Sequence, residues 1–394
     1  MLAIQGGQVL TPLETFSPGM VLIEGEKILE VGSPEGISIP PDTQVVEARD
    51  EIIVPGFIDT HTHGGQGTYF GEDHETSKEL CRGLVSTGVT SLLPTLASLF
   101  ATQDTLEIIN SRIALLRDVM REGTGGAEIL GIHMEGPCLS SADTARGSQL
   151  VKNLREPSVD ELHQMVDVSE GTIRKISIAP ELPGALDMIR EMVKLDIVPS
   201  AAHSTATYEE TMQAVDAGLC CATHAFNGMI PLHHRKPGLL GAVLTCDDIN
   251  AELIADGQHV SVVAMEILLR CKGVDRIHLI TDNTSWAGMP NGTYDDVDRT
   301  IVKEDHRVYF VGGTLVGSVA SMIFCVGNLL RSLDLSLPEV VQMASLNPAR
   351  LIGVDDRKGS LETGKDADLL VLDKDLEVRM TMVKGQEVYR AEGW

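Results

Sequence analysis

Through the middle of the chain, short runs of consecutive apolar residues alternate with segments in which apolar positions recur at helical spacing. Eight runs stand out, at 52–58, 89–95, 129–133, 176–180, 197–202, 221–225, 251–255 and 277–281. Between them lie amphipathic stretches such as 158–168 and 208–217. The alternation predicts an α/β fold, a parallel sheet with helical crossovers. Eight units are the number that closes a (β/α)8 TIM barrel; an open doubly wound sheet shares the pattern, and counting does not separate the two. The chain ends read differently. Met20 to Gly32 is a pair of short apolar strands about Glu24-Gly25-Glu26-Lys27, the signal of a hairpin. Near the other end, strand-like runs at 367–372 and 378–383 are separated by Asp373-Lys374-Asp375 and followed by a Lys384-Gly385 turn. Strand-rich ends about a different middle predict one small β-sandwich domain, discontinuous in sequence. The expected division is 1–54 and 351–394 for the sandwich and 55–350 for the barrel.

Chemistry-bearing residues gather where the apolar runs stop. The first run leads into Asp59-Thr60-His61-Thr62-His63, and the third into His133-Met134-Glu135. His203 follows the fifth, His224 lies in the sixth, His259 comes shortly after the seventh, and the eighth reaches Asp282. In a barrel, groups at the C-terminal strand ends converge on one mouth, where these folds keep their active sites. Five of the 12 histidines (His61, His63, His203, His224 and His259) fall at such positions. Each has a plain alternative: a strand-end histidine is commonly a hydrogen-bonded structural residue, and a carboxylate there can cap a helix. The His61-Thr62-His63 spacing says more, because residues i and i+2 of a strand face one side and both rings can reach one ion. Together, so many polar groups about a dry centre would be costly, whereas a divalent cation satisfies them. Nitrogen and carboxylate donors suit Zn²⁺, with Fe²⁺ or another first-row ion as alternatives. A catalytic ion of this kind brings the pKa of its water down towards ~7 and polarises a carbonyl. Asp282 is placed to accept the water proton and return it to a leaving amine. Hydrolysis of an amide or related C–N bond follows. An oxidoreductase lacks support, since no Gly-rich dinucleotide turn follows a strand.

Charge narrows the partners. The 394 residues include 57 acidic and 31 basic side chains, a formal net charge of −26, which opposes binding of nucleic acid or an anionic membrane. An anionic substrate would need basic groups concentrated against that field. The seven cysteines are odd in number and form no Cys-x-x-Cys pair, a usage that suits thiols in a reducing compartment. No apolar run approaches the ~18–20 residues of a membrane span, and residues 1–7 lack the features of a secretion signal. A soluble, cytoplasmic protein is expected.

Longer motifs add a resemblance. Pro55-Gly-Phe-Ile-Asp-Thr-His-Thr-His-Gly64 and Gly359-Ser-Leu-Glu-Thr-Gly-Lys-Asp-Ala-Asp-Leu369 are similar to tags of the amidohydrolase superfamily. His133-Met-Glu-Gly-Pro137, Ala202-His-Ser204, Thr223-His-Ala-Phe-Asn-Gly-Met229, His233-His-Arg-Lys-Pro-Gly238 and Ala255-Asp-Gly-Gln-His259, in this order, resemble the N-acetylglucosamine-6-phosphate deacetylase family over nearly the whole chain. The resemblance implies that Glu135, His203 and His224 bind a principal metal, and that Asp282 is the catalytic base and acid. Because His61 and His63 are present, it also implies a second ion bridged by Glu135, giving one or two ions per subunit. Asn227, the backbone at Gly228, His259, Arg235 and its neighbour His234 are then expected at a sugar phosphate. The loop carrying Arg235 would reach a neighbouring subunit's site, so a homodimer or higher homo-oligomer is expected. The implied reaction frees acetate and glucosamine 6-phosphate in amino-sugar catabolism.

Three positions depart from the family pattern. Gln149 stands where a histidine is usual, and it can donate a hydrogen bond but cannot carry an imidazolium charge. Gly228 replaces an alanine, and Asn283 follows Asp282 where alanine is common. These changes bear on the substrate rather than the metal. The rival readings are an amidohydrolase for another N-acyl amino sugar, an N-acyl amino acid or a cyclic amide, and a non-catalytic scaffold on the same fold.

Overall fold

A computed structural model describes residues 1–97, 105–296 and 299–394. At its centre eight strands run parallel in sequence order: Phe57–Thr62, Val89–Ala97, Ile132–Glu135, Ile173–Ile178, Val198–Ala201, Cys221–Ala222, Asn250–Ile254 and Ile277–Ile280. The eighth meets the first through main-chain bonds. The Asp282 N–H donates to the His61 carbonyl at 2.8 Å, and the His63 N–H to the Asn283 carbonyl at 2.7 Å. The sheet therefore nearly closes into a (β/α)8 barrel, and the doubly wound alternative is set aside. Crossover helices begin where the sequence offers caps. Ser158 caps Val159–Ser169, and Thr207 with Glu210 forms a capping box on Tyr208–Asp216, each satisfying amide groups that a helix start leaves unpaired. The inward faces of these helices and the outward faces of the strands share one continuous apolar core.

Strand limits differ from the apolar runs in several places, among them the first, fourth and sixth. The run at 52–58 is two strands: Ile52–Pro55 pairs with terminal strands, and the barrel begins only at Phe57. The break falls at Gly56, where an added Cβ would sit 2.1 Å from Thr90 Oγ1, so the chain passes only without a side chain. The fourth strand starts at Ile173 rather than 176, because Arg174 and Lys175 interrupt its apolar pattern while its backbone stays extended. The sixth is only Cys221–Ala222, since the backbone turns out of the extended region by His224 (φ +33°).

Both chain ends build the sandwich. One sheet holds Lys27–Gly32, Met20–Glu24, Leu2–Gln5 and Gln44–Glu47; the other holds Gln386–Arg390, Val378–Val383, Leu369–Leu372, Ile52–Pro55, Gln8–Leu10 and Thr15–Phe16. Their apolar faces meet around Val9, Val21, Ile53, Val371 and Met380. Near the junction with the barrel, the carboxylates of Glu128, Asp366 and Asp368 cluster as a cation site would. The buried Lys358 ammonium already fills it, 2.7 Å from Glu128, 3.1 Å from Asp366 and in contact with Asp368. A three-stranded antiparallel sheet, Gly292–Asp296, Arg299–Glu304 and Arg307–Phe310, is inserted after the eighth barrel strand and had no counterpart in the apolar pattern. Among the described residues no helix is long and apolar enough to cross a membrane.

Candidate metal centre and active site

The C-terminal ends of five barrel strands bring six side chains together. His61 and His63 come from the first strand and its end, Glu135 from the third, and His203, His224 and Asp282 from just beyond the fifth, sixth and eighth. All six are buried. His203, His224 and Asp282 hold left-handed backbone conformations (φ +43°, +33° and +51°). Such conformations cost side-chain-bearing residues on the order of 1–3 kcal/mol each, and surrounding structure must enforce them. Each of the three occurs where the chain leaves its strand, and their side chains lie buried in the cluster.

Glu135 lies between two histidine pairs. Its Oε1 is 3.1 Å from His203 Nε2 and 3.0 Å from His224 Nε2, and it is 3.8 Å from His61 Nε2; its Oε2 is 3.6 Å from His63 Nε2. Asp282 Oδ1 is 3.1 Å from His63 Nε2 and 3.4 Å from His61 Nε2. Each ring is oriented by its other nitrogen. His63 Nδ1 faces the Thr95 carbonyl at 3.2 Å, His203 Nδ1 that of Ala145 at 2.8 Å, and His224 Nδ1 that of Asn227 at 3.2 Å. His61 Nδ1 faces Glu252 Oε2 at 3.4 Å. These partners only accept, so each neutral ring carries its proton on Nδ1 and a bare lone pair on Nε2. Yet the Nε2 atoms lie 3.2 Å apart within each pair. Facing lone pairs repel unless a cation lies among them, and a carboxylate completes each set: His61, His63 and Glu135, and Glu135, His203 and His224, with ligand atoms within 4.8 Å of one another. The donor chemistry fits a divalent ion in each.

Burial opposes the charge on Glu135, but the His203 and His224 rings beside it outweigh burial and hold the carboxyl well below the usual range. Asp282 is likewise lowered despite burial, by the His61 and His63 rings. Burial lowers His61, whereas in His63 and His224 the neighbouring carboxylates overcome burial and raise the ring.

Above the cluster opens a cavity of 360 Å³ lined by His63, Glu135, Gln149, His203, His224, Asn227, Gly228, His259 and Asp282, with Thr314 and Leu315 from the loop after the inserted sheet. Gln149 is buried; its Nε2 donates to Glu135 Oε2 at 3.0 Å while its Oε1 has no partner among the described residues. Gly228 has φ +63°, and a Cβ there would lie 2.7 Å from His203 Nδ1, so its lack of a side chain has a structural reason. His259 is fixed by Asp256, whose Oδ2 lies 2.7 Å from His259 Nδ1. His234 and Arg235 are not brought into this cavity. Both are exposed, with Arg235 Nη1 2.9 Å from His234 Nε2. Sequence reasoning missed Glu252 and Lys175, which lie beneath the cluster, and Asp256 as the support of His259. A single charge inside an apolar run, as in Ala251-Glu252-Leu253-Ile254, was the available signal.

The sequence pattern of the amidohydrolase family matches residues 52–388. An N-acetylgalactosamine-6-phosphate deacetylase of Escherichia coli O157:H7 is 37% identical over 348 residues, covering 88% of this chain and 90% of its own. An N-acetylglucosamine-6-phosphate deacetylase of Vibrio furnissii is 34% identical, covering 86% of this chain and 83% of its own. A solved structure of a variant N-acetyl-D-glucosamine-6-phosphate deacetylase from Mycobacterium smegmatis, in complex with N-acetyl-D-glucosamine-6-phosphate, superposes with a TM-score of 0.86 at 32% identity, covering 98% of this chain and 99% of that one.

Proposed function

The chain belongs to the amidohydrolase family, and from that membership we propose that it hydrolyses N-acetylglucosamine 6-phosphate to glucosamine 6-phosphate and acetate. The observation that carries this reading is Asp282, a carboxylate set against the His61 and His63 pair and facing the same cavity as Glu135, Asn227 and His259. Glu135, His203 and His224 would hold the principal ion, Zn²⁺ by its donor set, and His61 and His63 with Glu135 a second. When bound, the metal polarises the amide carbonyl and acidifies the attacking water. Asp282 takes the proton from that water and delivers it to the amine nitrogen as the C–N bond breaks, so one carboxyl serves as base and then acid. Gln149 Oε1, buried and without a partner among the described residues, is available to a substrate hydroxyl or amide N–H. Asn227, the Gly228 backbone and His259 position the sugar phosphate. Arg235 and His234 reach the phosphate from a second subunit, which accounts for their exposure in the single chain. All seven thiols are free, in keeping with an enzyme of the cytoplasm.

The 37% identity to an N-acetylgalactosamine-6-phosphate deacetylase favours a second reading, the same reaction on the C4-epimeric sugar. Acetate release from both phosphorylated sugars, and from their unphosphorylated forms, separates the possibilities. Highest kcat/KM on N-acetylglucosamine 6-phosphate is expected. Preference for the galacto sugar phosphate selects the second reading, and release only from unphosphorylated sugars contradicts both.

A further inference from the structure

Beneath the metal cluster, the barrel interior holds a full ion pair. Lys175 of the fourth strand and Glu252 of the seventh are both fully buried, with Lys175 Nζ in contact with Glu252 Oε1. Glu252 also accepts from Thr60 Oγ1 at 3.2 Å and faces His61 Nδ1 through its other oxygen at 3.4 Å. Burying two opposite charges is expensive, and an apolar pair of similar size would commonly serve stability as well. Neither residue lines the cavity, so neither can touch substrate. What sets the pair apart is its place in the pattern of ring supports. His63, His203 and His224 each rest Nδ1 on a main-chain carbonyl; among these four histidines, His61 alone rests on a carboxylate.

We infer that Glu252, held in place by Lys175, is a positioning residue that makes His61 the stronger donor and thereby sets the affinity of the second ion, at His61, His63 and Glu135. This rests on the two-ion reading above. A carboxylate behind an imidazole fixes the Nδ1–H tautomer and draws on that proton, which enriches Nε2 and strengthens its bond to a metal. A main-chain carbonyl orients a ring but carries no charge. Lys175 keeps the buried carboxylate ionised and aimed, and its long stem spans the barrel from the fourth strand to do so. The principal ion, whose rings have neutral supports, is outside this arrangement.

The test measures metal rather than turnover. Removing one charge alone would strand the other, so both are replaced together. Lys175→Met with Glu252→Leu removes the support; Lys175→Met with Glu252→Gln restores a neutral acceptor. Zn²⁺ per subunit is counted by mass spectrometry, and stepwise affinity is measured by competition with a chelator. The wild type should bind two ions. Supporting residues of this kind govern metal affinity by about 10–100-fold, so the Met/Leu variant should bind the second ion at least tenfold more weakly and the first as in wild type. The Met/Gln variant should fall between, and it carries the test alone if the Met/Leu protein does not fold. Undiminished second-ion affinity overturns the inference while leaving the two-ion reading intact. Equal weakening of both ions also overturns it, because the pair then supports the fold generally. A wild-type protein that binds only one ion overturns the two-ion reading and this inference with it.

Discussion

Replacing Asp282 with asparagine isolates proton transfer from the rest of the site. Asparagine keeps the size of the side chain and an oxygen for the His61 and His63 contacts at 3.4 and 3.1 Å, but it cannot take a proton. In the native site the carboxyl is pushed up by burial and pulled further down by the two rings, so its pKa lies below the ordinary value. It is therefore the ionised base throughout the neutral range, and its contribution to kcat should fall only as pH drops through that depressed value. General acid–base catalysis contributes roughly 10²–10⁴-fold, which at 1.36 kcal/mol per tenfold is ~2.7–5.4 kcal/mol of barrier. The phosphate and sugar contacts assigned to Asn227, Gly228, His259 and Arg235 are untouched, so KM should change less than kcat. Steady-state acetate release with metal content measured on the same sample provides the assay. A variant that retains metal and turns over within tenfold of wild type would show that another group moves the proton.

Three further sets of substitutions probe the remaining parts. His203→Ala or His224→Ala should abolish activity and remove the principal ion, whereas His61→Ala or His63→Ala should lose only the second; wild-type metal content in the first two would sink the ligand assignment. Arg235→Ala should raise KM for the phosphorylated sugar at least tenfold, ~1.4 kcal/mol, because a guanidinium binds phosphate through two parallel hydrogen bonds. It should alter turnover of the unphosphorylated sugar little; equal effects on both sugars, or full activity in a strict monomer, would refute the shared phosphate site. Gln149→His should preserve or raise activity on N-acetylglucosamine 6-phosphate, since an imidazole N–H can replace the donor to Glu135 Oε2. A large loss would mean that Gln149 is suited to a different sugar.

Much of the barrel was legible because its strands, covered on both faces, read as short continuous apolar runs. The same rule hid what departs from it. Arg174 and Lys175 concealed the start of the fourth strand, and the apolar run at 52–58 hid the break at Gly56, which depends on the close approach of Thr90. The inserted sheet alternates polar and apolar residues in short strands, so neither continuous apolar runs nor helical spacing announce it. Within the site, the strand-end histidines could be found because barrel geometry gathers strand ends at one mouth. The Lys175–Glu252 pair could not, since its members are 77 residues apart and pair only once the barrel forms. Arg235 shows the converse: a family motif names it, while the single chain leaves it exposed.

The central property proposed for this protein is metal-dependent removal of acetate from a phosphorylated N-acetylhexosamine. The most direct measurement strips the protein with a chelator, restores Zn²⁺ stepwise, and follows acetate and free amine released from N-acetylglucosamine 6-phosphate. Activity should disappear on stripping, return in proportion to the bound metal, and yield one acetate for each new amine. Full turnover by the stripped protein, or no acetate at any metal occupancy, would contradict it.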